Sequence, residues 1–513
     1  MALRITGQAQ EKLGEYQASL ESFKKLLALL NETHTDKAVQ GWAYDGIGLA
    51  YYGLGKYARA IMHFEQSLRI AQQLDNKREQ GTAYFNLGLA HAGLRQHKTA
   101  IECQNKSLEI TEQLDDRIRQ RDVYNRLGLA YASLGQHKMA IKYHEQHLAI
   151  AQQLANEREQ QMAYLNLGTS HQKLGQWKTA MEYHQQQLDI AQQLDDKAGQ
   201  GTAYFNLGAA HAGLRQFEAA IECQHKRLEI AQQLGDRTGQ GHAYNRLGLA
   251  YAGLGQHKMA IEYHEQHLAI AQQLDNKREQ KMAYLNLGNS YRCLHQYRKA
   301  IKYNHKQLDI AQQLDDKAGQ GHAYNHLGLT YAGLGQHKMA IEYHEQHLAI
   351  VQQLGNEHEQ RMAYYNLGLG HAGLHQNEAA IEYLHKSLEI AQQLGDRIRQ
   401  GHVYNRLGIA YSKMRLYKIA IEYYEQHLAI AQQLKNMDEQ RIAYHNLGHS
   451  YCHSGEYKLA IENGHKALDI AEKLGDRKIQ LATHRLLMAS SVRSGRLGSA
   501  CSHYASIWRR IFM

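Results

Sequence analysis

Proline is absent from the 513-residue sequence. No polyproline linker can therefore separate domains, and helices have to be stopped by glycine, asparagine and aspartate. Cysteine is scarce as well. Cys103, Cys223, Cys293, Cys452 and Cys501 are odd in number, widely spaced and without a C-x-x-C pair. Such a set excludes a disulfide framework and a zinc ribbon, and predicts reduced, mostly packed thiols. Long apolar runs are missing too: LLALL, residues 26–30, falls far short of the roughly 20 residues a bilayer crossing needs. The opening MALRITGQAQEKLGEYQASL has no charged segment leading into an apolar stretch, so it does not read as a secretion signal. The expected location is cytoplasmic, with no membrane span.

Neither sign of charge dominates. Lysine and arginine number 59 against 50 aspartates and glutamates, with 34 histidines. The modest basic excess favours acidic partners slightly, and the interleaving of basic residues with acids, instead of clusters, argues against nucleic acid. A phosphate loop of the GxxxxGKS type is missing, and no Ser, His, Asp set stands apart. Paired acids such as Asp115-Asp116 and Asp195-Asp196 sit where helices should start and suit the helix dipole. Catalysis and cofactors are not expected.

What the chain has is repetition. From Gly41 to Gln480 it falls into eleven frames of 40 residues without insertion or deletion. Tyr holds the fourth place of every frame (Tyr44 to Tyr444), Gly the eighth (Gly48 to Gly448), Ala the twentieth, Leu the twenty-eighth and thirty-fourth, and Ile the thirtieth. Fixed small residues let two helices approach, while large apolar residues at helical spacing fill the seam, so each frame reads as a helical hairpin. The fifteenth place is often Gly (Gly55, Gly135, Gly175, Gly255, Gly335, Gly455), which suits a left-handed cap ending the first helix, A. The thirty-sixth is Asp or Asn throughout and should cap the next helix A. In Asn76/Glu79, Asn156/Glu159, Asn276/Glu279, Asn356/Glu359 and Asn436/Glu439 the spacing predicts a capping box.

Residues 81–200 closely match 201–320, as in TAYFNLG at Thr82 and Thr202, so three hairpins were copied as a block. The expected organisation is a divergent hairpin at 1–40, eleven frames at 41–480 and closing helices at 481–513. Ile507, Trp508, Ile511 and Phe512 are expected to pack on the last hairpin, although lost downstream sequence is an alternative.

The run aromatic, x, x, Leu, Gly, x, x, Tyr or His, followed by Ala and an apolar helix, resembles the tetratricopeptide repeat. It departs from that family in lacking the closing proline, in carrying Tyr for Trp, and in a period of 40 instead of about 34. The longer wording, with NLGNSY at Asn286 to Tyr291, is similar to the Leu-Gly-Asn-repeat G-protein-signalling modulators that orient spindles and polarity complexes. Kinesin-light-chain-like scaffolds use related wording. The resemblance implies an all-α, right-handed α-solenoid (superhelix) of stacked hairpins, acting as a non-enzymatic scaffold or adaptor. Its cargo would be a polarity- or spindle-linked segment. The Asp-Gln-Arg motif by which those modulators bind Gα is missing, so direct Gα binding is not predicted.

In that family the second, fifth, sixth, ninth, twelfth and thirteenth places of helix A line the inner wall, and here those places vary. The fifth and sixth places supply Asn86, Asn125, Arg126, Asn166, Asn206, Asn245, Arg246, Asn286, Asn325, Asn366, Asn405, Arg406 and Asn446. An asparagine column can bond the backbone of an extended or helical peptide, and arginine forks suit carboxylates. The competing reading is that the same asparagines bond across neighbouring helices. Phe85 and Phe205 are groove anchors or ordinary packing.

His144/His147, His264/His267 and His344/His347 are spaced three apart on the second helix, B. HEQH is not HExxH and no third ligand is evident, so packing against the next hairpin is expected instead of metal. Two rivals to peptide capture remain: self-association through apolar ends such as IWRRIFM, and, less favoured, a nucleic-acid-binding solenoid.

Overall fold

The computed structural model describes residues 2–33 and 36–512. Among them lie 26 α-helices and no strand. The chain forms two compact units, Met1–Tyr263 and His264–Met513. Within each unit a helix packs on those before and after it in sequence, with lighter contact between alternate helices. That nearest-neighbour pattern defines a solenoid of hairpins.

One hairpin shows the construction. Helix A, Arg117–Ser133, and helix B, His137–Gln153, are 17 residues each, and each is followed by a three-residue turn, which accounts for the 40-residue period. Both turns have the same backbone. Gln136 N–H donates to Tyr131 O (2.9 Å) and Gly135 N–H to Ala132 O (2.9 Å), while Asn156 N–H donates to Ala151 O (2.9 Å) and Ala155 N–H to Gln152 O (3.0 Å). These are paired Schellman closures, which satisfy the last carbonyls of each helix.

The left-handed residue at their centre appears at the fifteenth place of every frame, not only in those with Gly. Arg95 (φ 60°), Arg215 (59°), His295 (56°), His375 (61°) and Arg415 (60°) adopt it too. A second one stands at the thirty-fifth place, occupied by Asp75, Ala155, Lys435 and others. Each non-glycine there costs about 1–2 kcal/mol, offset by the closure it completes.

Helix A starts where expected: Asp116 Oδ1 accepts from Arg119 N–H (3.1 Å) and Asn156 Oδ1 from Glu159 N–H (3.2 Å). The reciprocal half of the capping box does not form. The Asn156 N–H is already spent in the turn, and Glu159 Oε2 lies 2.9 Å from His147 Nε2 of the preceding helix B instead. The same diversion occurs at Glu279 with His267 (2.9 Å) and Glu439 with His427 (2.9 Å).

A glutamine at the fortieth place ties one hairpin to the next. Gln120 Nε2 donates to Thr111 O (2.9 Å), near the end of the preceding helix B. The equivalent bond recurs in all eleven frames, from Gln80 to Gln480.

The seam inside each hairpin rests on the eighth-place glycine. A Cβ on Gly48 would lie 2.5 Å from Phe64, on Gly128 2.4 Å from His144, on Gly168 2.5 Å from His184, and on Gly408 2.5 Å from Tyr424. The side chain at the twenty-fourth place of the frame, on helix B, thus occupies the space a methyl group would take. Twentieth-place alanines such as Ala140 and Ala260 are fully buried beside it, as are Leu127, Leu167, Leu287 and Leu407. Each buried leucine contributes about 1.5–3 kcal/mol. Outside the seam the tyrosines stack: Tyr143 lies between Tyr124 (6.3 Å between centroids) and Tyr131 (5.3 Å).

The N-terminal hairpin, Ala2–Lys12 and Tyr16–Thr33, turns through Gly14 (φ 76°). At the other end, helices Arg477–Arg493 and Leu497–Phe512 form a last pair. The side chains of Ile507, Trp508, Ile511 and Phe512 lie outside the described residues. Cys103 and Cys223 are half-buried, Cys452 is buried, and Cys293 and Cys501 are exposed; all five are free thiols. No described helix is long and apolar enough to cross a membrane.

Candidate partner-binding groove

The fifth and sixth places of helix A alternate in chemistry. Frames with Asn (or Asp45) at the fifth place carry Gly, Arg or His at the sixth, and frames with Phe, Leu, Tyr or His at the fifth carry Asn at the sixth. The structure joins the two kinds by rungs between successive helices A. Asn86 Nδ2 donates to Asp45 Oδ1 (2.8 Å), Asn166 to Asn125 (3.1 Å), Asn366 to Asn325 (3.0 Å) and Asn446 to Asn405 (3.0 Å), each across 41 residues. Asn125 spends its own Nδ2 on Met162 Sδ at 3.7 Å. Asn245 is buried and Asn286 half-buried at equivalent places.

A rung consumes one donor and one acceptor, and leaves the second asparagine's carbonyl with capacity to accept. Asp45, which is half-buried, has its pKa pushed up to about 6 by loss of hydration, against the bond from Asn86.

Asn206 is the exception. The preceding frame has Leu165 at the fifth place, no rung forms, and the Asn206 amide stays half-exposed. Around it lie Phe205, Arg246 with its guanidinium 5.1 Å from the Phe205 centroid, and His242, whose ring centroid is 6.4 Å from that of Phe205.

The sixth-place arginines stay open. Arg126, Arg246 and Arg406 are exposed, and no carboxylate among the described residues pairs with them. Arg406 Nε donates to Tyr365 Oη at 3.3 Å. Loss of hydration lowers the Arg246 pKa although the side chain reaches solvent. Arg126 borders a hollow of about 270 Å³ with Leu89 and Leu129, and Asn446 one of about 260 Å³ with Ile409 and His449. His326, at the sixth place of its frame, is neutral: burial brings its pKa down to about 4.

The helix-B histidines are buried, those at the twenty-fourth place in the seam and those at the twenty-seventh against the following helix A. His144 lies on Gly128, and His147 pairs with Glu159. Among the described residues no three His, Cys, Asp or Glu side chains converge as metal ligands would.

Stacked hairpins of this construction define an α-solenoid of two-helix repeats. The chain belongs to the tetratricopeptide repeat family. The sequence model described as "Tetratricopeptide repeat" matches residues 3–73, 79–153, 159–233, 208–273, 280–353 and 359–433, and a second model of the same description matches 442–474. Repeats of this family serve as protein-interaction scaffolds. No curated protein matches the sequence. Among solved structures, the chain is similar to a signal transduction ATPase with numerous domains and a tetratricopeptide repeat sensor from Pyrococcus horikoshii. That match has 13% identity over 90% of this chain and 74% of that one, with a TM-score of 0.52. It is also similar to the apo quorum sensor NprR from B. thuringiensis, with 14% identity over 68% of this chain and 98% of that one, at a TM-score of 0.50. Both likenesses concern the fold.

Proposed function

We propose that the chain is an adaptor whose helix-A face captures extended or helical segments of partner proteins that carry acidic side chains. The observation that supports this reading is the open state of Arg126, Arg246 and Arg406: three exposed guanidinium groups at one repeat place without carboxylate partners. A guanidinium fork binds a carboxylate through two parallel bonds and discriminates it from neutral groups. The asparagines take two roles. The rung pairs hold successive helices A in register, while the Asn206 amide donates to and accepts from a bound backbone and the open carbonyls of Asn166 and Asn446 accept from it. The likeness in wording to the Leu-Gly-Asn-repeat modulators supports a polarity- or spindle-linked adaptor segment as cargo.

The test uses fluorescent peptides that alternate glutamate with apolar residues, titrated by anisotropy onto the full chain. Replacing Arg126, Arg246 and Arg406 by Ala should weaken binding at least tenfold while the melting curve stays put. Asn166→Ala should instead lower the melting temperature, because it breaks a rung. Equal affinity for the triple variant, or equal binding of glutamine-substituted peptides, would falsify the proposal.

A further inference from the structure

The space between helix B and the following helix A is filled in different ways along the chain. Four hairpins fill it in part with a histidine at the twenty-seventh place facing a glutamate at the thirty-ninth: His147–Glu159 (2.9 Å), His267–Glu279 (2.9 Å), His347–Glu359 (3.3 Å) and His427–Glu439 (2.9 Å). Beside His427 and Glu439 a hollow of about 240 Å³ is left. Another fills it with Arg227, whose Nη2 lies 3.1 Å from Asp236 Oδ2 and whose guanidinium covers Gly201 and Gly239.

Where the two places hold Gln307 and Gly319, neither filling is present. A hollow of about 610 Å³ remains, with Met282, Leu285 and Leu314 as its apolar wall. Its inner end is polar: Gln307 is 2% exposed, and its Oε1 has no hydrogen-bond partner. A buried amide oxygen in this state lacks what water or a ligand would supply. The amide of Gln187, in the earlier copy of this block, is 3.3 Å from His184 Nδ1.

The rim is cationic. Lys281 bonds Asp316, which leaves Arg278 exposed and without an ion pair among the described residues, and His322 is exposed beside it. The earlier copy has Gln161 where Lys281 stands and Thr202 where His322 stands. An apolar chamber with one deep polar group and one spare positive charge at its mouth matches a compact amphipathic anion, and its volume is that of a small-molecule site.

We propose that this hollow binds a small aromatic hydroxy acid. Its phenol hydroxyl meets the Gln307 amide, its ring lies on Met282, Leu285 and Leu314, and its carboxylate meets Arg278 and His322. A hydroxyl both donates and accepts, so it satisfies the amide in either orientation.

Isothermal titration of the full chain with 3-(4-hydroxyphenyl)propionate tests the assignment, beside 3-phenylpropionate, which lacks the hydroxyl, and 4-propylphenol, which lacks the acid. The complete probe should bind at least tenfold more tightly than either relative. Gln307→His combined with Gly319→Glu rebuilds the pair present in four sister hairpins. It should keep the helical spectrum and abolish binding. Arg278→Gln, at an exposed position, should weaken binding about tenfold and keeps the test decisive if the double variant misfolds. No heat up to millimolar probe, equal affinities for the three probes, or unchanged binding in a folded Gln307→His/Gly319→Glu protein or in Arg278→Gln would overturn the proposal.

Discussion

His344 rests directly on Gly328: a Cβ built on that glycine would stand 2.5 Å from His344 Cε1. The two residues belong to the facing helices His337–Gln353 and Lys317–Gly333 of one hairpin. Their contact recurs down the chain with Phe, His, Gln, Asn, Leu or Tyr above the glycine.

Gly328→Ala should therefore destabilise the chain although alanine is the better helix former. Overpacking of this kind costs about 1–3 kcal/mol, against a gain of about 1 kcal/mol in helix propensity. Urea unfolding followed by circular dichroism reads the balance, and a raised midpoint would contradict the close approach.

Acid should loosen the seam. Burial lowers the pKa of His144 and His184 to about 4 and of His264 and His344 to about 3, from the ordinary 6.5. The unfolded chain then binds more protons than the native one below pH 6.5, so stability is full above that value and falls as pH drops toward 3 to 4. Each such histidine forfeits about 2 kcal/mol by pH 5. Melting curves recorded between pH 7.5 and 5 check the slope. His344→Tyr, which borrows the residue found above Gly408, should flatten it.

Ala155→Gly should stabilise. The alanine is held at φ 48°, in a turn closed by its own N–H and that of Asn156. Glycine removes the steric cost at some expense in unfolded-state entropy, for a net gain of up to about 1 kcal/mol. A thermal midpoint unchanged or lowered would show that the turn is not strained by its side chain.

Gln120→Ala should cost about 1–3 kcal/mol, since it strands the Thr111 carbonyl in a place where the glutamine itself is 3% exposed. Hydrogen exchange should rise first at the end of helix His97–Gln113 and the start of Arg117–Ser133.

Much of this architecture can be read from spacing alone. The period, the eighth-place glycine, the helix-A caps and the hairpin follow from residue types that have one local explanation each. The turns are less legible, because the Schellman closure imposes a left-handed residue whatever its side chain. Arg95 and Lys435 give no sign of it. Glu159 reads as the second half of a capping box until the fold brings His147 within reach across a turn. The asparagine rungs depend on the stagger between hairpins, which puts Asn166 beside Asn125, and no local pattern encodes that offset. The fortieth-place glutamine forms an unbroken column in the sequence, a signal that the hairpin reading does not use, and its acceptor, a carbonyl nine residues back, is defined only by the turn. The hollow at Gln307 emerges only when that hairpin is set against its sisters.

The two turns share one length and one backbone form, so an A-to-B corner and a B-to-A corner are interchangeable to the chain. A whole frame can be spliced in or out with its Schellman closures, its glutamine tie and its glycine contact all reformed at the joint. The protein's reach is thus adjustable in steps of one hairpin at little cost to its neighbours, and the duplicated block at 201–320 is such a step taken three hairpins at a time.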